Sequence, residues 1–277
     1  MNTPTWTSQS TPVPKKPGPG GWILAGSRAL VLGVLVFGCL GLLLVVRLVE
    51  RPLFGLHRPW TPWITVFVSR SALRIMGLPL SQTGVPMEHP GAIVANHSSW
   101  LDIFVLNAAA PLYFVSKSEV AAWPGIGWLA RATGTVFVRR ERREARAQTG
   151  VFEERLAAGH RLLFFPEGTS SDGQRVLPFK PTLFAALFSE ELSDLWVQPV
   201  SVAYHAPEGG EPRIYGWWGD MDFGPHLLAT LAMRRHGRIE VIWHVPLRVS
   251  DFAGRKQLAA EAERAVRAGH PLGSVSS

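Results

Sequence analysis

The sequence predicts an α/β domain with a mixed sheet flanked by helices, preceded by one or more N-terminal membrane helices. Two observations lead to this prediction. From Gly91 onward, short apolar runs alternate with segments of helical periodicity, which is the pattern of an α/β domain. Ahead of that domain, residues 29–46 (ALVLGVLVFGCLGLLLVV) carry no charge over 18 positions. A run of about 20 apolar residues is long enough to cross a bilayer core.

The individual elements are assigned from residue type and period. Predicted strands are short runs rich in β-branched and aromatic residues. They comprise residues 91–95, 112–116, 135–138, 161–165, 197–203 and 238–243. Predicted helices fill the intervals between the strands and close the chain: 101–110, 142–158, 182–188 and the amphipathic segment 256–268.

The N-terminal region divides into a tail and an apolar helix. Residues 1–21 are rich in Pro, Gly, Ser and Thr, which predicts a disordered tail. The apolar run that follows is longer than a typical signal-peptide core and precedes no small-residue cleavage site. A retained membrane helix is therefore favoured over a signal peptide. Cys39, the only cysteine, lies within this run and is expected to be an inert buried thiol.

A second apolar stretch, residues 60–80, contains Arg70 and Arg74 on one helix face. It predicts an interfacial or re-entrant helix, with a helix packed on the soluble core as the alternative. The predicted organisation is thus a tail at 1–21, a membrane helix and a second membrane-associated helix within 22–80, and an α/β domain at 81–277.

The net charge limits the classes of partner that the protein is expected to bind. Lys and Arg total 28 against 21 Asp and Glu, a formal charge of +7, which suits an anionic membrane surface, nucleic acid or anionic substrates. No zinc-finger spacing or basic helix with interleaved aromatics is present, so no nucleic-acid partner is expected. Arginines are more numerous after the apolar run than before it, which predicts a membrane protein of a bacterial inner membrane with its catalytic domain facing the cytoplasm.

The segment Asn96-His97-Ser98-Ser99-Trp100-Leu101-Asp102 follows a predicted strand and opens a predicted helix. On one helix, residues five apart would point about 140° away from each other. His97 and Asp102 can therefore meet only if His97 lies in the turn before the helix. Asp102 would then orient one imidazole nitrogen and leave the other as a general base, while the substrate supplies the nucleophile. The alternative is that both residues only cap the helix.

Two further segments carry polar groups at predicted strand ends. Residues 163–173 read LFFPEGTSSDG, in which a carboxylate, glycine and hydroxyls follow an apolar strand. Residues 134–140 read GTVFVRR and end in Arg139 and Arg140, a residue type that matches phosphate bidentately. A plain turn and a solvated basic strand end are the respective alternatives.

Taken in order, NHSSWLD, GTVFVRR, FPEGTSSDG and the strand VQPVSV (residues 197–202) resemble the four sequence blocks of the 1-acylglycerol-3-phosphate acyltransferase family, also called lysophospholipid acyltransferases. The resemblance covers about residues 91–202 and the preceding membrane helices. It implies an O-acyltransferase that moves a fatty acyl group to the free hydroxyl of a lysolipid in a bilayer. The acyl donor implied is a thioester of acyl carrier protein or coenzyme A. It implies no metal or other cofactor, in agreement with the absence of His-Glu-x-x-His and P-loop patterns.

The resemblance also implies roles for individual residues. His97 is the general base and Asp102 its orienting partner, while Arg140 binds the acceptor head group. The remaining substrate-binding candidates are neighbours of these blocks: Lys117, Arg139, Glu167, Gly168 and Thr169.

Ser170 departs from the family pattern, because it replaces the arginine that commonly follows Glu-Gly-Thr. The favoured acceptor is 1-acylglycerol-3-phosphate, giving phosphatidic acid, since Arg139 and Arg140 offer a cationic fork. The alternative acceptor is lyso-ornithine lipid, whose head is an amino acid. Trp217 and Trp218 are expected either to line an acyl or acceptor groove or to form a core pair. A non-catalytic lipid-binding scaffold would need neither His97 nor Asp102, and a serine hydrolase would need a Gly-x-Ser-x-Gly turn that the chain lacks.

Overall fold

The computed structural model describes residues 6–8, 10–12, 16–138, 145–189 and 194–271, with the backbone alone described for 145–149. Within these residues the chain forms an eight-stranded sheet in the order β1-β7-β6-β2-β5-β3-β4, with β8 paired to β6. The strands are β1 (Leu80–Thr83), β2 (Gly91–Ala95), β3 (Tyr113–Lys117), β4 (Val136–Val138), β5 (Leu162–Phe164), β6 (Trp196–His205), β7 (Arg238–Trp243) and β8 (Leu247–Arg248). β6 runs antiparallel to β7 and β8, and the other pairs are parallel, so the predicted mixed sheet is confirmed.

The α-helices of the described chain lie before the sheet and on both of its faces. They are α1 (Pro19–Phe54), α2 (Thr61–Met76), α3 (Leu101–Ala109), α4 (Ile126–Thr133), α5 (Ala145–Ala157), α6 (Phe223–Ala232) and α7 (Arg255–Gly269). Residues 182–188, predicted as a helix, form a 3₁₀ helix that spans Pro181–Phe188.

The core has two halves because the side chains of a strand alternate between the faces of the sheet. Ile93 of the fully buried β2 packs with apolar residues of α2 and α3. Ala92 and Val94 pack on the opposite face with residues of α5, α7 and the 3₁₀ helix. β2 therefore lies at the centre of the domain, and the turn that follows it is held by core elements on both sides.

α1 is bound to α2 and to α6 of the α/β domain by polar side chains at helix ends. Glu50 of α1 is fully buried and accepts hydrogen bonds from the backbone N–H groups of Trp60 and Thr61, at 2.8 and 3.0 Å, at the start of α2. Arg28 donates to the carbonyls of Leu231 and Met233 at the end of α6. Such contacts satisfy groups that a helix terminus leaves without an intrahelical partner.

Arg70 of α2 has the same kind of role, because its Nε donates to the carbonyl of Ala108 near the end of α3 at 2.8 Å. Packing on the domain thus explains one of the two charges in residues 60–80. α2 buries Val66 and Met76 and exposes Trp63 and Phe67. α2 is thus packed on the core, as the alternative interpretation of this stretch expected, and has one exposed apolar edge; its contact with a membrane stays a prediction.

α1 is, within the described residues, the one helix long and apolar enough to cross a membrane. Its 36 residues extend about 54 Å at 1.5 Å per residue. Ala25 near its start and Leu43 and Glu50 near its end are buried, so one face packs against the domain. The opposite face exposes large apolar side chains, namely those of Trp22, Ile23, Leu30, Val31, Val34, Phe37, Leu42, Leu44, Val45, Leu48 and Val49.

Several boundaries differ from the sequence prediction. α1 begins at Pro19, so the tail is shorter than 1–21, as expected for a proline in the first helical turn. The sheet begins at Leu80, one residue before the predicted start of the α/β domain. β1, β8, α4 and α6 were not predicted from the sequence. Residues 142–144 of the predicted helix at 142–158 lie outside the described residues.

Candidate active site

The candidate site forms where the carboxyl ends of three neighbouring parallel strands meet. β2 pairs in parallel with both β5 and β6, so the residues that follow these strands share one edge of the sheet. His97 follows β2, Glu167 follows β5, and Tyr204 is near the end of β6. Ligands of open α/β sheets bind at such edges.

The structure brings His97 and Asp102 together as the five-residue spacing required. His97 lies in the turn between β2 and α3, and Asp102 is the second residue of α3. The His97 Nδ1 is 2.7 Å from Asp102 Oδ2. Since the buried carboxylate accepts, Nδ1 carries the hydrogen and Nε2 keeps its lone pair. The Asp102 side chain is fully buried, whereas the His97 side chain is 22% exposed and open to a substrate.

Three more donors surround the Asp102 carboxylate. Oδ2 also accepts the backbone N–H groups of Ser98 and Ser99, at 2.8 and 3.0 Å, and Oδ1 accepts the Tyr204 hydroxyl at 2.5 Å. Burial, followed by the negative charge of Asp102, raises the pKa of Tyr204 well above its usual range. Tyr204 therefore keeps its proton and remains a donor. Together the four donors compensate the buried charge that orients His97.

The imidazole and backbone of His97 are fixed by the segment after β5. The His97 ring stacks on the Phe165 ring with centroids 4.1 Å apart and planes 11° apart. The His97 N–H donates to Glu167 Oε1 at 3.0 Å, and the His97 carbonyl accepts the Ser171 N–H at 2.9 Å. The base is thus held at its ring, its N–H and its carbonyl.

Glu167, expected to bind the acceptor, lies in the protein interior at 1% exposure. Loss of water raises the pKa of its carboxyl well above the usual range. The backbone N–H groups of His97 and Leu177 oppose this shift but are outweighed. The side chain of Glu167 contacts backbone N–H groups, among them that of His97, which is the geometry of a residue that positions His97.

Replacing Glu167 with alanine should lower the free energy of unfolding by about 1–3 kcal/mol, because the His97 N–H loses its acceptor. Glu167→Gln keeps an acceptor oxygen and should remain closer to the parent in stability and activity. The raised pKa means that the folded protein holds this proton more tightly than the unfolded chain does. The parent should therefore lose stability relative to Glu167→Gln as pH rises from about 4.3 through the folded pKa. Thermal unfolding in detergent across pH measures this difference, and parallel curves for parent and Gln variant would contradict it.

Three other predicted binding residues, Gly168, Thr169 and Lys117, lie at the same edge of the sheet. Gly168, with φ of +71°, forms the turn after Glu167, and Thr169 Oγ1 accepts the N–H of Trp6 at 3.4 Å. Lys117 is exposed at the end of β3, two strands or about 10 Å from β2. Arg139 and Arg140, which follow β4, lie outside the described residues.

The Trp217–Trp218 segment closes one side of the site. The Trp217 N–H donates to the Ser98 carbonyl at 2.8 Å, and Trp218 is buried at 2% exposure. Gly216 allows the segment to lie close to the backbone of Asp172, since a Cβ there would lie 2.8 Å from the carbonyl oxygen of Asp172. Trp218 is thus a core residue, and the backbone of Trp217 supports the turn that carries His97.

Two residues of the site were missed from the sequence. Tyr204 lies one residue beyond the predicted strand 197–203 and was given no function, and Asn96 was only part of a motif. Asn96 exchanges two hydrogen bonds with the backbone of Val202, at 2.8 and 2.9 Å, which ties the end of β2 to β6. Polar side chains directly after or late in apolar strands were the available signal for both.

A fixed carboxylate, an oriented imidazole and an exposed Nε2 define a site for general-base catalysis. Residues 80–203 match the family model described as Acyltransferase. The chain is 55% identical over 270 residues to a lyso-ornithine lipid O-acyltransferase of Rhodobacter capsulatus, covering 97% of this chain and 98% of that protein. It is 37% identical to a 1-acyl-sn-glycerol-3-phosphate acyltransferase of Neisseria gonorrhoeae over 43% of this chain and 48% of that one.

The fold resembles the crystal structure of the 1-acyl-sn-glycerophosphate acyltransferase PlsC from Thermotoga maritima. The TM-score is 0.64 and the identity 21%, with 89% of this chain and 93% of that chain covered. The chain therefore belongs to the lysophospholipid acyltransferase family, and it is an acyltransferase of lipid biosynthesis.

Proposed function

We propose that the protein transfers a fatty acyl group from an acyl carrier protein or coenzyme A thioester to the hydroxyl of a lysolipid, with lyso-ornithine lipid as the acceptor. The observation that carries the chemistry is the Nδ1–Oδ2 contact of 2.7 Å between His97 and Asp102, which leaves His97 Nε2 as the base. In this scheme the bonds that form and break belong to the two substrates, and the dyad of His97 and Asp102 carries the proton. No metal or prosthetic group takes part.

His97 Nε2 removes the proton of the acceptor hydroxyl as its oxygen attacks the thioester carbonyl carbon. The C–O bond forms, the tetrahedral intermediate collapses, and the C–S bond breaks. The thiolate leaves with the proton carried by Nε2, so that an ester and a free thiol are produced. Asp102 stabilises the imidazolium between the two proton transfers.

The choice of acceptor depends on the relatives and on Ser170. The relative from Rhodobacter capsulatus matches almost the whole chain, whereas the one from Neisseria gonorrhoeae matches less than half. Ser170 is 9% exposed and brings no charge to the place where the family commonly has an arginine. An amino-acid head group, which carries one carboxylate in place of a phosphate monoester, needs fewer cationic partners. Lyso-ornithine lipid is therefore favoured over 1-acylglycerol-3-phosphate, which reverses the order of preference predicted from the sequence.

The acceptor is tested by supplying purified protein with an acyl carrier protein thioester and each lysolipid in turn. We expect rapid formation of ornithine lipid and slower formation of phosphatidate, with neither formed by the His97→Ala variant. Brisk phosphatidate formation without ornithine lipid would refute the proposed acceptor. It would leave the dyad chemistry intact, because both acceptors present a hydroxyl.

We further propose that the exposed apolar face of α1 holds the protein in a bacterial inner membrane, with the catalytic domain on the cytoplasmic side. Apolar side chains cover this face for most of the helix, and Arg47, Arg51 and Arg58 lie near its C-terminal end. The positive-inside rule places such arginines in the cytoplasm.

Full-length protein should stay in the membrane fraction after a high-salt wash, since salt screens charge but does not weaken apolar insertion. Glutamate at the exposed positions Val34, Phe37 and Leu44 should shift the protein to the soluble fraction or make it salt-extractable. Alanine at the same three positions is the matched control and should remain bound. Release of the unmodified chain by salt alone would contradict the apolar anchor.

A further inference from the structure

The loop after Glu167 returns to the backbone of the catalytic base and brings Arg175 with it. The Ser171 hydroxyl lies 3.4 Å from the His97 carbonyl oxygen and 3.2 Å from the Arg175 carbonyl oxygen. A Cβ added to Gly173 would lie 3.5 Å from the Cβ of Ser98. The Ser171 hydroxyl therefore lies between the backbone carbonyls of His97 and Arg175, so the loop that carries Arg175 is held against the turn of the base although Arg175 is five positions beyond Ser170.

The Arg175 side chain is oriented by the protein and still open to solvent. Its Nε and Nη2 donate to the two oxygens of Asp172, at 3.2 and 3.1 Å. Asp172 is 2% exposed, whereas the Arg175 side chain is 56% exposed. Since a guanidinium has five N–H donors, this arrangement fixes its plane and leaves the N–H groups of Nη1 for another acceptor.

The N-terminal segment, defined here as residues 6–8 and 10, covers the other face of Arg175. The Arg175 guanidinium carbon is 5.3 Å from the centre of the Trp6 ring. The Trp6 ring also lies 6.0 Å from the Trp218 ring, and the Ser10 carbonyl accepts a hydrogen bond from Arg213 at 3.1 Å. The segment thus joins the loop of Thr169 to the loop of Trp218, which was not expected from a tail of disordered composition.

We propose that Arg175 binds the anionic group of the acceptor head, in place of the arginine that the family commonly has at the position of Ser170, and that Trp6 holds Arg175 in its binding orientation. This assignment rests on the proposed acyl transfer to a lysolipid. The ligand is an oxyanion, which is the carboxylate of an ornithine head or the phosphate of lysophosphatidate. Arginine binds either group through paired, charge-assisted hydrogen bonds.

The test uses purified full-length protein and steady-state kinetics with each substrate varied in turn. Arg175→Gln should raise the acceptor KM about 10- to 100-fold, because a charge-assisted hydrogen bond is lost. The thioester KM and kcat should change less than about threefold. Arg175→Lys should restore part of the acceptor affinity, and Trp6→Ala should raise the same KM by about two- to fivefold, the scale of an exposed cation–π contact. The control is Arg248→Gln, which removes an exposed Arg–Asp pair at β8 near the opposite end of β6 and should leave both KM values unchanged.

A change in the head group of the acceptor distinguishes a binding role of Arg175 from a structural one. The parent should prefer lyso-ornithine lipid over its carboxamide, and Arg175→Gln should lose this preference. An unchanged preference, or equal losses for both acceptors, would overturn the assignment. If Arg175→Gln does not fold, Arg175→Lys is compared with the parent. A smaller preference for the carboxylate over the carboxamide in Arg175→Lys would support the assignment, and an equal preference would overturn it.

If the protein acylates lysophosphatidate alone, the proposed acceptor fails while the assignment of Arg175 remains testable. Lysophosphatidate and its phosphate methyl ester then replace the two ornithine compounds. Loss of discrimination between them in Arg175→Gln would support the assignment, and retained discrimination would overturn it.

Discussion

Replacing His97 with alanine should slow acyl transfer by about 10²–10⁴-fold, the usual contribution of a general base. The reason is that Nε2 is the one nitrogen of the dyad free to take the hydroxyl proton, since Nδ1 donates to Asp102. Removal of the His97 side chain costs the fold its contact with Phe165 and one of the four donors to the buried Asp102, so circular dichroism must first show that the variant is folded. Thioester consumption and acylated lipid should be measured together, because loss of both distinguishes lost catalysis from uncoupled hydrolysis.

His89→Ala is the matched control. His89 is exposed, stacks on Trp196, and precedes β2 at the end of the sheet opposite the candidate site. This variant should retain the activity of the parent. Near-normal activity of a folded His97→Ala protein would exclude His97 as the base and would leave capping of α3 as the explanation for the motif.

The elements that could be predicted from the sequence are those whose residues form a contiguous apolar pattern. β2 and β7 match their predicted ranges, and α7 differs from its prediction by one residue at each end. β1 was missed because LSQT is largely polar. It is a strand only because it pairs with β7, about 160 residues later.

In the candidate site, too, contacts between residues close in the sequence could be predicted, whereas contacts between distant residues could not. His97 and Asp102 could be paired in advance because the turn geometry between β2 and α3 is local. Tyr204 could not, because its contact with Asp102 depends on the parallel pairing of β2 with β6, and a tyrosine late in an apolar strand is typical of core. The sequence assigned no partner to Arg28 or Arg70, whereas in the structure they donate to carbonyls at the ends of α6 and α3. The residues next to each arginine in the sequence do not indicate these partners.

Replacing Asp102 with asparagine should lower kcat by about 10²–10⁴-fold and change the acceptor KM only a few-fold, because the carboxylate acts through His97 and does not touch the substrate. Asparagine has the same shape but no charge. Its oxygen can replace Oδ2, which accepts from His97 and from the N–H groups of Ser98 and Ser99. The amide nitrogen then faces the Tyr204 hydroxyl, which can rotate to accept. The fold is therefore retained, while the imidazolium formed in the transition state loses its counter-charge.

Tyr204→Phe separates the charge of Asp102 from the hydrogen bonds around it. This variant keeps the carboxylate but leaves the buried Oδ1 without its donor, which should cost about 1–3 kcal/mol of stability and no more than about tenfold in kcat. In the double variant the two losses should not add, because residues in direct contact are coupled. Circular dichroism and thermal unfolding would establish that each variant is folded before kcat is compared. If Asp102→Asn and Tyr204→Phe reduced kcat equally, the charge of Asp102 would not be what supports the base, and its role would be reduced to holding the turn of Ser98 and Ser99.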